Sequence, residues 1–370
     1  MNNYFINIEK YIITKYITKY PNELKDKILY LLQNGKRLRP ILFLIYSDCE
    51  NIEIINTTVN DTVNTVIHDT LYTIAICIEL IHSLSLVLDD LPEMDNDTIR
   101  RDNDSFHIKY GIEYTNFFIY YMFNTIGLEL DTCFDNSLNN DEFDIKIQNI
   151  TIINDIKHII NLNMNLLIEG QYNDLEWNNS TSNHSINIQT FHVNPNHFIK
   201  EKDVIFELLN TDNELINYIT TIEKVNEIES NIELNMKKTS SLFNLSITSG
   251  YILQLWKNNI NYKTGIHSEK YKIIVQLLNI FSNILGYMFQ ISDDLLDIES
   301  DLEKNKPNIC SILDKDIVCK LLKNGCHWLY MNNKNIYQLM GDLQHTDNKT
   351  ITFNSDVINE IIGKIEHRIK

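Results

Sequence analysis

The chain is poor in residues that interrupt helices, with only 10 Gly and 5 Pro in 370 residues. A sandwich or barrel needs frequent turns, so this scarcity argues against all-β architectures and for long helices. Its six cysteines (Cys49, Cys77, Cys133, Cys310, Cys319, Cys326) form no CxxC pair, so they read as free thiols rather than a disulfide frame or zinc site. There is no uninterrupted apolar run of about 18 residues, so no transmembrane segment is expected. The N-terminal MNNYFINIEKYIITKYITKY lacks the apolar stretch of a signal peptide and the arginines of a transit peptide. It reads as an amphipathic helix with Phe5, Ile8, Tyr11 and Ile12 on one face. Positive charge is also short. The net charge of −18 argues against nucleic acid as a partner, because phosphate backbones need a basic footprint.

Arginine is the scarcest charged residue, and four of the five lie in two short segments: Arg37 and Arg39 in NGKRLRP, Arg100 and Arg101 after a run of aspartates. Where lysine is otherwise the rule, arginine marks positions that need a bidentate fork, as phosphate does.

Hydrophobic residues make up 44% of the chain, enough for a sizeable core. Two helices around Pro21 precede the GKRLRP turn and the apolar run ILFLIY. A polar stretch near Asn51 to Asn64 reads as a loop. From Asp69, residues Leu71, Ile74, Ile78, Ile81, Leu84 and Leu88 recur at helical spacing up to Asp89 and Asp90, and Pro92 ends the helix. Residues 112–130 are helical and aromatic, and 150–175 helical. An Asn- and Ser-rich segment at about 176–222 reads as an insertion loop, partly disordered. Helical patterning then resumes and runs through QISDDLLD.

The segment SLVLDDLPEMDNDTIRRD holds five aspartates, a glutamate and two adjacent arginines. Its first aspartates end a helix, where the partial charge is already negative. A cation must offset them. In QISDDLLD, Asp293 and Asp297 are four residues apart and share a face, with Asp294 beside them. Taken alone, such a cluster reads equally well as a solvated acidic face. Two clusters of hard oxygen donors, each ending an apolar helix, suit Mg²⁺ that bridges to substrate phosphates. The arginines supply a second, metal-independent phosphate grip.

In order along the chain, NGKRLRP, ELIHSLSLVLDDLPEMDNDTIRR, EGQYNDL, KKTSSLF and FQISDDLLD resemble the motifs of the trans-isoprenyl diphosphate synthases, the head-to-tail prenyltransferases. The resemblance implies an all-α fold, a single helical bundle around a central cavity, as one domain over 1–370. It implies a homodimer, and Mg²⁺-dependent condensation of isopentenyl diphosphate with an allylic diphosphate, with three ions per site. Lys36, Arg39, His82 and Arg101 are then expected to hold isopentenyl diphosphate. Asp89 and Asp95 are expected to ligate metal on one side of the allylic diphosphate, Asp293 and Asp297 on the other. Arg100 and Lys238 grip that diphosphate, Thr239 and Gln290 sit near the reacting carbons, and Gln171 and Asp174 face the same cluster, Asp174 as a further metal ligand. The allylic C–O bond ionises, the double bond of isopentenyl diphosphate attacks the cation, and the released diphosphate takes the proton. The compartment expected is the cytoplasm or a plastid-type organelle.

Some positions depart from the family pattern. Asp102-Asn103-Asp104-Ser105 replaces GKPT, Ile119-Tyr120 a Gly-Asp pair, Leu88 a histidine, and Ser240 the glycine of KTG. The loop after DDLLD is shortened, leaving Lys304 or Lys306 as its lysine. These changes motivate a rival reading as a modulatory subunit of a prenyl synthase. A class I terpene cyclase is disfavoured by DDLLD and GKRLRP. In the family, aromatics four and five residues before the first aspartate motif limit chain growth. Here those positions are Ser85 and Leu84, which implies a geranylgeranyl or longer product.

Overall fold

A computed structural model describes residues 1–49, 62–137, 143–178, 198–209, 222–257, 267–304, 306–344 and 354–368. The polar stretch expected as a loop falls largely outside them, at 50–61. The chain forms two compact units. Met1–Lys157 with Ser249–Asn261 make the first, and His158–Thr248 with Tyr262–Lys370 the second. Nearly all described residues are helical, as the scarcity of glycine and proline predicts.

The first unit contains α1 (Asn2–Thr14), a 3₁₀ turn (Tyr16–Lys19), α2 (Asn22–Leu32), α3 (Leu38–Tyr46) and α4 (Thr62–Asp89). A two-stranded hairpin follows (β1, Ile99–Arg100; β2, Asn103–Asp104), then α5 (Phe106–Tyr110) and α6 (Ile112–Ser137). Helix α4 packs against α2, α3 and α6. Leu71, Ile74, Ile78, Ile81 and Leu84 are buried, and so are Ala75, Ile76 and Leu80. A helix covered on so many sides is apolar nearly all round. That explains why Ile67–Asp89 and, in the second unit, Glu269–Leu296 are long and apolar enough to cross a membrane by length and composition, although most of each window is buried within the protein. In α1 the buried stripe is Tyr4, Ile8, Tyr11 and Ile12, and Phe5 is only half-buried.

The second unit is built on α11 (His267–Leu296), which packs against α13 (Lys315–Gln344), α14 (Ser355–Glu366) and α8 (Ile199–Leu209). The unit also holds the later part of α7 (Phe143–Asn178), and α9 (Ile222–Asn235) runs into a π-helical turn, Met236–Ser240. Helix α10 (Ser241–Lys257) follows, and a short α12 (Ile298–Glu303) follows α11. Part of the segment expected as an insertion loop is therefore a core helix: Phe198, Ile205, Leu208 and Leu209 are buried, and the buried Glu201 accepts a hydrogen bond from Asn283 Nδ2 at 2.9 Å. The Asn-rich flanks mask a short stretch with apolar residues three and four apart.

Two glycines let helices close on the π turn. A Cβ on Gly170 of α7 would lie 2.5 Å from the Lys238 backbone nitrogen, and one on Gly286 of α11 would lie 2.6 Å from Ser240 Cα. Backbone on backbone cannot yield as a side-chain end can. Gly286→Ala should therefore destabilise the protein by about 1–3 kcal/mol in urea unfolding. Gly341→Ala, with open space around the new methyl, should be neutral or stabilise by up to about 1 kcal/mol. Equal midpoints for the two variants would contradict this packing.

Candidate active site

In the first unit, the chain curls back after α4 so that the Asp95 N–H donates to the Asp89 carbonyl at 2.9 Å. The two expected metal ligands thus stay at the helix end. Asp89 is 7% exposed and Asp90 only 1%. Arg100, carried by β1, clasps Asp90: Nε lies 2.9 and 3.2 Å from its two oxygens, Nη2 donates to Oδ1 as well, and Nη2 also reaches Asp97 Oδ2 at 3.3 Å. Burial pushes the Asp90 carboxyl up to about 6 against the pull of Arg100, and Asp97 and Asp89 add to the rise. Burial would lower the Arg100 guanidinium, but Asp90, Asp97 and Asp89 outweigh it and its pKa rises.

Arg100 pairs with Asn103 across the hairpin, so Arg101 and Asp102 make a two-residue turn with φ of 52° and 64°. Such turns normally take Asn and Gly. Here the left-handed backbone at Arg101 aims its side chain back at the GKRLRP turn. Arg101 Nη1 lies 3.4 Å from the Gln33 carbonyl, and Asn34 Nδ2 donates to the Arg101 carbonyl at 3.1 Å. Gln33, Asp90, Arg100 and Arg101 line one cleft. Lys36 is exposed and Arg39 buried on α3. Half-buried His82, on α4, has its pKa lowered well below 6.5 by burial and then by Arg39, Arg101, Arg100 and Arg37. The structure therefore gathers His82 with Arg39 and Arg101. Arg37 serves another purpose: it is 3% exposed and bound to Glu79 at 3.0 Å and Glu9 at 2.7 Å, so this guanidinium of the basic turn is structural.

In the second unit the π turn places two expected residues. Lys238 pairs with Asp174 of α7, and the Thr239 hydroxyl donates to Gln290 Oε1 at 2.7 Å. Gln290 Nε2 donates in turn to Asp294 Oδ1 at 2.8 Å, and the Ile309 N–H donates to Asp294 Oδ2 at 3.0 Å. Asp294 is 2% exposed. Burial pushes its carboxyl up to about 7, opposed by the Gln290 and Ile309 bonds and reinforced by Asp301 and Asp293. It orients Gln290 and anchors the chain after the second motif, where Asn308 Nδ2 bonds the Asp294 carbonyl at 2.9 Å and Asp301 Oδ2 at 2.8 Å. Helix α11 ends at Leu296, yet the Asp297 N–H still bonds the Asp293 carbonyl at 3.0 Å, so the two remain one turn apart. Gln171 is half-buried.

Arg368 is the residue that motif reading missed. It lies beyond α14 and contacts Asp293 Oδ1 at 2.5 Å and Ser292 Oγ at 3.1 Å. The argument from rare arginines applies to it equally, since it is the fifth in the chain. Only its isolation from any motif hid it.

Among the described residues, no three His, Cys, Asp or Glu side chains are already gathered as a metal centre. Asp90, Asp174 and Asp293 instead hold Arg100, Lys238 and Arg368. In each unit the donors still fit a hard divalent cation: Asp89 and Asp293 offer carboxylate oxygens in the last turn of a helix, where positive charge is favoured, and Asp95 and Asp297 follow in the turns beyond.

The lowered pKa of His82 has a sign. Below pH 6.5 the unfolded chain takes up this proton and the folded chain does not, so stability falls as pH drops through the unfolded value. Between pH 7 and 5 the His82→Gln variant should lose less thermal stability than the wild type. Parallel melting curves across that range would refute the assignment.

Comparison with known proteins finds similar sequences and folds. Residues 21–193 match the model of the polyprenyl synthetase family. Over 295 residues the chain is 27% identical to a farnesyl diphosphate synthase of Buchnera aphidicola, covering 77% of this chain and 80% of that one. A mitochondrial geranylgeranyl pyrophosphate synthase of Arabidopsis thaliana is 40% identical over 81 residues, 22% of this chain and 20% of its own. Among solved structures, the geranyltransferase of Helicobacter pylori complexed with magnesium and isoprenyl diphosphate shares the fold, with a TM-score of 0.57 at 19% identity over 93% of this chain and 95% of that one. In its motifs, its helical fold and these relatives, the chain is similar to the trans-isoprenyl diphosphate synthases, a family of prenyltransferases.

Proposed function

We propose that this prenyltransferase condenses isopentenyl diphosphate with an allylic diphosphate in a Mg²⁺-dependent, head-to-tail reaction that yields geranylgeranyl diphosphate or a longer chain. One observation carries the reading. In the first unit a carboxylate pair at a helix end lies beside Arg100, and Arg39 and Arg101 lie around His82. That is a place for metal-held phosphate next to a place for phosphate held by guanidinium alone. The magnesium and isoprenyl diphosphate in the Helicobacter relative favour the same chemistry.

Asp89 and Asp95 of the first unit, and Asp293 and Asp297 of the second, are the proposed ligands of Mg²⁺, with Asp174 beside Lys238 as a further one. Bound Mg²⁺ supplies charge that stabilises the departing diphosphate. Lys36, Arg39 and Arg101 bind the second diphosphate. His82, kept neutral by burial and then by its arginine neighbours, offers one N–H without adding charge. Lys238 and Arg100 turn from their carboxylates to the leaving diphosphate. The Thr239 hydroxyl, oriented by Gln290, directs its lone pairs away from that bond, as suits a neighbouring cation.

Leu84 is fully buried and Ser85 nearly so, one turn before Asp89 on α4. Neither has the bulk to stop a growing chain, and this supports the longer product. On α6, Phe117 (77%), Tyr120 (71%) and Leu128 (68%) are exposed, a face suited to a second copy, so a homodimer is part of the proposal.

Incubation with labelled isopentenyl diphosphate and dimethylallyl, geranyl or farnesyl diphosphate should give labelled prenyl chains that EDTA abolishes. No labelled product from folded protein would favour the modulatory subunit instead. Asp89→Ala and Asp293→Ala should each lower turnover at least about a hundredfold with the helical CD spectrum unchanged. Normal turnover in both would remove the metal assignment. Leu84→Phe should shorten the product, and an unchanged chain length would rule out this residue as the floor.

A further inference from the structure

Arg368 is not a loose tail residue. Helix α14 buries Ile358, Ile361, Ile362 and Ile365 and packs on α11 and α13. The chain then turns, with the Arg368 N–H 3.4 Å from the Ile365 carbonyl. From this anchored position its guanidinium lies 2.5 Å from Asp293 Oδ1, 3.1 Å from Ser292 Oγ and 4.7 Å from the centre of the Phe289 ring. Three contacts, from Phe289, Ser292 and Asp293 near the end of one helix, hold a single cation on one carboxylate oxygen.

We infer that Arg368 is a built-in competitor of the divalent cation at Asp293, exchanged for the metal when it binds. This rests on the proposed role of Asp293 as a metal ligand. Mg²⁺ binds a carboxylate oxygen at about 2.1 Å, and Arg368 already lies against Oδ1. Two cations on one oxygen repel each other strongly in a partly enclosed site. The guanidinium must therefore leave Oδ1 as the metal takes it. Coupling of this kind is reciprocal, so metal binding loosens the C-terminal turn by the factor by which Arg368 weakens the metal. The device also keeps the helix end neutral, so that Asp293 is not a bare charge at the C-terminus of α11.

The test is a Mn²⁺ titration followed by electron paramagnetic resonance, with inorganic diphosphate present, on the full chain. Arg368 and Asp293 are 22% and 28% exposed, so the pair has the strength of a partly exposed one. Arg368→Gln should tighten Mn²⁺ binding about fivefold, and Arg368→Lys, which keeps the charge but loses the fork, should tighten it less. In the Asp293→Asn background the Arg368→Gln effect should vanish. Unchanged or weaker Mn²⁺ binding in Arg368→Gln would overturn the competition and make Arg368 a support of the site instead. If Asp293→Asn alone leaves Mn²⁺ binding unchanged, the metal reading of Asp293 fails, and the competition with it.

Discussion

Carboxylates at the C-terminal end of a helix sit in that helix's own negative field, and each must be offset. Much of the local architecture answers this constraint. The hairpin after α4 delivers Arg100 to Asp90, the π turn delivers Lys238 to Asp174, and the turn after α14 delivers Arg368 to Asp293. Each cation comes from a different element. A buried carboxylate stripped of its partner costs about 3–5 kcal/mol. The same pairs hold the charged groups near their sites of use.

Burial and charge act against each other at these positions, and burial wins at the two inner carboxylates. Asp90 and Asp294 are the second aspartates of their motifs. Both are nearly inaccessible, with pKa values pushed up to about 6 and about 7. The first aspartates, Asp89 and Asp293, are less deeply set. Each motif thus divides its labour: the inner carboxylate organises Arg100 or Gln290, and the outer one lies nearer the surface. The doubled aspartate is two residues with two environments.

Much of this was legible from residue types. Long helices followed from the lack of glycine and proline, and α4 from its apolar spacing. Arg39 and Arg101 stood out because arginine is rare, whereas Lys36 and His82 were named only through the family resemblance. Side-chain pairing was not legible, since it depends on contacts such as Lys238 with Asp174, 64 residues apart. Arg37 illustrates the limit: adjacent in sequence to Lys36, it is spent on Glu9 and Glu79. Helix α8 escaped because its few apolar residues are diluted by asparagine on both sides, and Arg368 because one residue makes no motif.

The hairpin turn has an evolutionary consequence. Arg101 and Asp102 both adopt left-handed backbone conformations, each costing a non-glycine residue about 1–2 kcal/mol. Selection for thermal robustness alone would drift this dipeptide toward Asn-Gly. The guanidinium at 101 therefore persists against a standing pull, and a stabilised consensus variant of this chain would erase it first.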